Sequence, residues 1–149
     1  SNSARCREDG PMHLEPYLVF GGHCEEALNF YKQVFNGEIE GISRWSEMPK
    51  DVGRTPVTPE TANRVMHANF KSPGVSFMAS DGMPDKTYGE GPISLSVTTT
   101  DLAEAQRVFN ALAAGGNVEV PMQDMFWGAK FGMLTDKFGI DWMVSCRTS

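Results

Sequence analysis

Apolar residues fall along this chain in two rhythms, one of period two and one of period three to four, and the pair of rhythms occurs twice. Leu14 to Phe20 is rich in β-formers and ends at Gly21-Gly22, which predicts a strand closed by a turn. From Glu25 to Phe35 the positions Ala27, Leu28, Tyr31, Val34 and Phe35 recur at three and four, which predicts a helix with Gly37 as its left-handed C-cap. Glu38 to Trp45 predicts a second strand, and Val65 to Phe70 with Val75 to Ser80 predict a hairpin around Ser72-Pro73-Gly74. Ser46 to Asn63 carries Pro49, Gly53, Pro56 and Pro59 with almost no apolar periodicity. A structureless stretch of that length inside a compact domain is usually functional or mobile, so it is the expected lid.

After the Gly- and Pro-rich linker Asp81 to Pro92, the order starts again. Ile93 to Val97 predicts a strand, and Asp101 with Glu104 resembles a capping box. Leu102, Ala105, Val108, Phe109 and Leu112 form a helical stripe that ends at Gly115-Gly116. Val118 to Val120, Phe126 to Leu134 and Ile140 to Ser145 complete the set with three strands. The halves also match residue by residue. Glu26-Ala27, Phe30-Tyr31 and Gly37 correspond to Glu104-Ala105, Val108-Phe109 and Gly115 at an offset of 78. Pro73-Gly74 and Phe77-Met78 correspond to Phe138-Gly139 and Trp142-Met143 at an offset of 65, while Pro16-Tyr17-Leu18 aligns with Pro92-Ile93-Ser94. The expectation is an α+β fold of tandem βαβββ modules, about 12–81 and 92–146, that bury each other's apolar faces.

Composition narrows the function classes. The 149 residues suit one domain, and 40% hydrophobic against 21% charged residues excludes a disordered chain. No apolar run exceeds four residues, as in Tyr17-Leu18-Val19-Phe20, so no membrane-spanning segment is expected. A net charge of −6 without a basic cluster disfavours a nucleic-acid partner. Cys6, Cys24 and Cys146 are odd in number and lack CxxC spacing, which points to a reducing cytoplasm. Ser1 to Pro11 is polar and patternless and is set aside as a leader or vector remnant.

Several runs carry a resemblance. Pro16-Tyr17-Leu18, Glu26-Ala27, Phe30-Tyr31, Met66-His67-Ala68-Asn69, Ala79-Ser80-Asp81, Phe126-Trp127 and Thr135-Asp136-Lys137-Phe138-Gly139 through Trp142-Met143 resemble the PhnB-like branch of the vicinal oxygen chelate superfamily. That superfamily includes glyoxalase I, extradiol dioxygenases and antibiotic-resistance binding proteins. The resemblance implies a glyoxalase-like fold with a curved, barrel-like mixed sheet, a homodimer and a small-molecule ligand. It also brings the label 3-demethylubiquinone-9 3-methyltransferase, against which the residues argue. A Gly-rich loop between strand and helix usually cradles the donor cofactor, and the nearest run, Gly89-Glu90-Gly91, leads into Pro92 and a strand.

Metal-dependent relatives place hard ligands on the first and last strands of each module. Those positions fall here on Pro16, Met78, Pro92 and Met143, none of which suits a divalent ion. No metal site and no cofactor are therefore expected. His67, mid-strand among apolar residues, is the candidate catalytic acid or base, since an imidazole titrates near neutrality; a hydrogen-bonded structural role is the alternative. Asp81 could orient it or contact a ligand, although an Asp before Gly82 is also ordinary turn chemistry. Phe126 and Trp127 are candidate stacking surfaces, equally able to serve as core or dimer interface; Trp142 is a further pocket candidate whose match to Phe77 in the other half favours packing; Met78 and Met143 would give an adaptable pocket lining or simply fill the core. Cys24 at a helix start could be acidified by the helix dipole. The functional expectation is a protein that binds a small aromatic or oxygen-rich compound, with metal-independent acid/base chemistry or simple sequestration as alternatives.

Overall fold

Among the described residues, eight strands and two α-helices follow the order the apolar rhythms imply. A computed structural model of the protein describes residues 13–47, 57–83 and 91–147. The first module runs β1 (Tyr17–Val19), α1 (Cys24–Phe35), β2 (Glu38–Arg44), β3 (Val65–Ser72) and β4 (Val75–Ser80). The second repeats it as β5 (Leu95–Thr99), α2 (Leu102–Ala113), β6 (Asn117–Met125), β7 (Ala129–Thr135) and β8 (Asp141–Arg147). Each module folds into a four-stranded mixed sheet, ordered β1-β4-β3-β2 and β5-β8-β7-β6, whose first strand lies parallel to its last. Among the described residues no ladder joins the two sheets. The barrel-like surface is thus two open sheets, with β1 and β5 each at an edge.

The helices align at an offset of 78, Cys24 with Leu102 and Phe35 with Ala113, and the last strands at 65, Phe77 with Trp142 and Ala79 with Val144. The first strands need a correction. Leu18 pairs with Ala79 and Val97 with Val144, so Leu18 corresponds to Val97, 79 positions on, rather than to Ser94. Ile93 and Ser94 precede β5, and Pro16 corresponds to Leu95. A period-two pattern tolerates such slips because only facing, not register, is visible in it.

The capping expectation for α1 also shifts by one residue. Asn36 takes the left-handed conformation, with φ 53°. Gly37 is required for a different reason, since a Cβ there would lie 2.5 Å from the Phe70 ring. In α2, Asp101 does cap, its carboxylate accepting from the N–H groups of Ala103 and Glu104 at 3.0 and 3.2 Å. Residues 48–56, half of the expected lid, and 84–90 of the linker lie outside the described residues. The flanks of the lid are anchored, because Trp45 N–H donates to Arg64 C=O and Ser46 N–H to Ala62 C=O.

One face of each helix and each sheet meets in a single shared core. Tyr31 of α1 is fully buried at its centre, against Phe20, Phe35 and Phe77 of its own module and Phe138 and Trp142 of the other. Its O–H donates at 2.5 Å to the Asp136 carboxylate, which also accepts from Trp142 Nε1 at 2.9 Å and from the N–H groups of Phe138 and Ile140. Asp136 is itself 3% exposed. A carboxylate there is tolerable only because these donors replace its water.

Removing one donor therefore costs the strength of a charge-assisted bond. Tyr31→Phe should lower stability by about 1.5–3 kcal/mol, and Asp136→Ala by more, because it strands the Tyr31, Trp142 and backbone donors together. Denaturant unfolding checks both. A Tyr31→Phe midpoint equal to that of the parent would show that the module joint rests on ring packing alone.

Candidate functional site

The start of α1 shows what Asp81 does. His23 stands at the N-cap, but its side chain takes no backbone N–H of the helix and instead sets Nδ1 3.4 Å from the Glu26 carboxylate. Asp81, just past β4, fills that role from a neighbouring strand. Its Oδ1 accepts from Gly22 N–H at 2.7 Å and Cys24 N–H at 2.8 Å, and its Oδ2 from Val65 N–H at 2.8 Å. The side chain is 3% exposed, so both oxygens serve backbone donors and the carboxylate ties α1 to β3 and β4. That occupancy gives Asp81 a framework role at the floor of the cleft it also lines, and Asp81 makes no hydrogen bond to His67. The same geometry bears on nucleotide-type binding. Among the described residues the strand-glycine-helix junction is Gly21-Gly22, and the N–H groups that would face an anion there are taken by Asp81.

Outside this cap lies an open, polar cleft of about 430 Å³, lined by Gly22, His23, Glu25, Arg44, Asn63 and Arg64 among others. Arg44 grips Glu25 with two bonds of 2.9 and 3.1 Å and also donates to Asn63 C=O. The Arg44 hydrogen bonds hold the Glu25 carboxyl below its ordinary range. Beneath the cleft Cys24 is fully buried, and burial, reinforced by Asp81, pushes its thiol up to about 12. The helix dipole loses to desolvation, so Cys24 is no thiolate nucleophile.

His67 lies elsewhere. On β3 the buried residues Ala68 and Phe70 face the helix, which turns His67 and Asn69 to the opposite face. Tyr17 of β1 reaches the same face, its hydroxyl 3.1 Å from His67 Nδ1 and its ring centroid 5.7 Å from the imidazole. Met78 on β4 pairs with both Tyr17 and Asn69, which sets its half-buried side chain beside the pair. The partnership of Tyr17 was missed in the sequence, where Tyr17 reads only as one β-former in a strand. The signal that could have found it is alternation, since Leu18 must face the core and Tyr17 therefore cannot.

The second sheet presents a matching face. Met143 pairs with Met133 and with Ser96, and Phe131 on that face receives the edge of Trp127 at 5.8 Å. Phe126 and Trp127 lie in the β6–β7 turn, not in a strand, and are 96% and 54% exposed. Trp142 cannot join them. Adjacent strand residues point to opposite faces, so with Met143 turned outward Trp142 points into the core, where it is 3% exposed. The structure thus brings His67 and Met78 together with Tyr17 on one sheet, and on the other it sets Met143 on the same face as Phe131, which Trp127 contacts. Asp81 and Trp142 belong to the framework.

The residues that would hold a metal in such a frame are Pro16, Met78, Leu95 in place of Pro92, and Met143. Met78 N–H donates to Pro16 C=O at 3.0 Å, so even that carbonyl is engaged. No group of three His, Cys, Asp or Glu side chains converges among the described residues. The donors present do not fit a divalent ion.

Comparison with known proteins agrees with this architecture. Residues 12–145 match the family described as 3-demethylubiquinone-9 3-methyltransferase. The chain belongs to this family. It is similar to protein PA1353 from Pseudomonas aeruginosa, with 37% identity, a TM-score of 0.82, and coverage of 93% of this chain and 100% of that one. A putative 3-demethylubiquinone-9 3-methyltransferase, PhnB protein, from Bacillus cereus shares 32% identity over 91% of this chain and 99% of its own, with a TM-score of 0.73. A glyoxylase/bleomycin resistance protein/dioxygenase domain from Frankia, 14% identical with a TM-score of 0.61 over 93% of each chain, shows the same fold. The protein is a PhnB-like member of the glyoxalase fold, and no helix among the described residues is long and apolar enough to cross a membrane.

Two predictions follow from the α1 cap. An exposed thiol ionises near 9, while buried Cys24 holds its proton to about 12. The stability this contributes is intact below 9 and is lost as pH climbs from 9 toward 12, at no more than about 1.4 kcal/mol per pH unit. Tyr31, also raised by burial, adds a loss of the same sign above 10. In Cys24→Ala the decline should vanish between pH 9 and 10 and persist above, as read from thermal midpoints. Asp81→Ala should cost about 2–4 kcal/mol, since three backbone donors lose their acceptor; a loss under 0.5 kcal/mol would remove Asp81 from the framework.

Proposed function

We propose that this PhnB-like protein binds a small, oxygen-bearing and partly aromatic compound on the sheet faces that its helices leave uncovered. The observation that carries the reading is the Tyr17–His67 pair. A hydrogen-bonding imidazole stands half-exposed beside Met78, on a face with no role in the core. On the second sheet, Trp127, Phe131 and Met143 supply flat and adaptable surface of the kind that holds a ring. Each module carries half of what a ligand would use. A homodimer in which a second copy sets its second sheet against the first would complete the site, and β1 and β5, with Tyr17 and Ile93 exposed beside a cleft of about 370 Å³, offer the edges for it. Cys24 and Cys146 are buried and unpaired, which suits the cytoplasm.

Sequestration of the ligand and acid/base chemistry on it are both compatible with one imidazole. The accessibility of His67 favours chemistry; the framework duty of Asp81, with no other carboxylate bonded to His67 among the described residues, favours binding. Methyl transfer, named in the family description, has weaker support, because the strand-glycine-helix junction is filled by Asp81.

His67→Gln separates the readings, since the amide keeps a hydrogen bond of similar reach but cannot carry a proton. Mass spectrometry of small molecules released from the purified protein identifies the ligand, and turnover of that compound is then assayed. Loss of 10²–10⁴ in rate with folding intact assigns acid/base chemistry. Retained ligand with no turnover in the parent assigns sequestration. A ligand bound with neither His67 nor Trp127 in contact would overturn the placement of the site.

A further inference from the structure

We propose that Tyr17 is a positioning residue that locks His67 with its Nε2–H turned outward, making the pair a hydrogen-bond donor to a carboxylate, phenolate or carbonyl oxygen of the ligand. This rests on the reading of the first sheet face as part of the ligand site and narrows it from a general imidazole to a donor of fixed direction.

The argument is one of topology and of hydrogen-bond chemistry. β1 and β3 are not neighbours, because β4 lies between them. Two strand spacings amount to about 9.5 Å, a gap that neither side chain spans alone. Tyr17 must lie over β4 and His67 must lean to meet it, and their atoms close to 3.1 Å. A side chain drawn across the sheet in this way is not free to sample solvent, so the imidazole plane is fixed by its partner. The contact uses Nδ1. An imidazole nitrogen with a free lone pair is a far better acceptor than a phenol oxygen, whose lone pair is delocalised into its ring, and the phenol O–H is the stronger donor of the two. Tyr17 therefore donates and Nδ1 accepts, which leaves the proton of the neutral imidazole on Nε2. No other partner of His67 is found among the described residues. An N–H of set direction is thus left on the open face, with the Met78 thioether alongside.

This assignment has a chemical consequence. A neutral histidine whose outward nitrogen carries the proton cannot serve there as a base; it can bind or polarise an oxygen. The pair accordingly selects compounds with an acceptor oxygen, and among the readings above it weights oxygen binding over proton abstraction.

Long-range ¹H–¹⁵N correlation spectra at pH 8, where a histidine is ordinarily neutral, report the tautomer without any ligand. The expected result is a protonated Nε2 and an unprotonated Nδ1 for His67, changing to a mixture in Tyr17→Phe. Benzoate, the simplest probe with a ring and two acceptor oxygens, is then titrated into the same samples. It should shift the His67 signals, and Tyr17→Phe should weaken its binding about three- to tenfold. In a His67→Gln background, whose amide N–H needs no tautomer, Tyr17→Phe should leave benzoate binding unchanged. A protonated Nδ1 in the parent, or equal losses in both backgrounds, overturns the role of Tyr17. Benzoate that shifts Trp127 and Met143 but not His67 overturns the oxygen-donor pair while leaving a ligand site on the second sheet. No benzoate binding, together with purified protein that releases no small molecule, overturns both readings.

Discussion

Everything in this fold turns on a carboxylate that has no business being buried unless it is fully engaged. Asp136 sits in the turn between β7 and β8 with almost no water contact, and its oxygens are filled by Tyr31 from the first module and by Trp142 and two backbone groups from the second. Neither module can supply that set alone. A single βαβββ unit would have neither the full set of donors nor the dry surroundings, since Phe138 and Trp142, which cover Tyr31, come from the other module. The duplication is thus enforced by polar satisfaction as well as by shared apolar surface, and the aromatic cluster around Tyr31 supplies the dry surroundings in which the bond is strong.

With the joint placed on the helix side of both sheets, the opposite faces are left over, and strand alternation decides which residues occupy them. Phe77 and Trp142 go inward at equivalent positions, so Met78 and Met143 go outward at equivalent positions. Tyr17 and His67 share the first of these faces for the same reason. The outer surface is in this sense the complement of the core: each strand residue that packs against α1 or α2 commits its neighbour to the face on which a ligand site is proposed.

Much of this was legible in the chain. Helix limits, the β3–β4 hairpin and the modular repeat emerge from spacing alone, because Ala27, Tyr31 and Val34 recur as Ala105, Phe109 and Leu112. What spacing could not carry is long-range register and polar partnership. Pro92 aligned with Pro16 by identity, yet the ladder puts Leu95 there, since parallel pairing is set by contacts between distant strands. Phe126 and Trp127 read as strand residues and form a turn, because aromatic β-propensity yields to the positive φ of Gly128. His67 was visible as an oddity; that Tyr17 completes it depends on β4 lying between them.

Four acidic residues show how carboxylates among the described residues are drawn into the framework. Asp81 caps α1, Asp101 caps α2, Asp136 joins the modules and Glu25 holds Arg44. Each is spent on backbone or on a partner that the fold needs, and none stands behind His67. Acid/base enzymes usually back their imidazole with a carboxylate, which stabilises the imidazolium and drives proton abstraction. A phenol in that place does the reverse. Tyr17 cannot offset a positive imidazole, but it can fix a neutral one. These four carboxylates serve architecture, and the imidazole of His67 is met by a phenol instead, which is why the proposed role of the pair is to recognise an oxygen rather than to remove a proton.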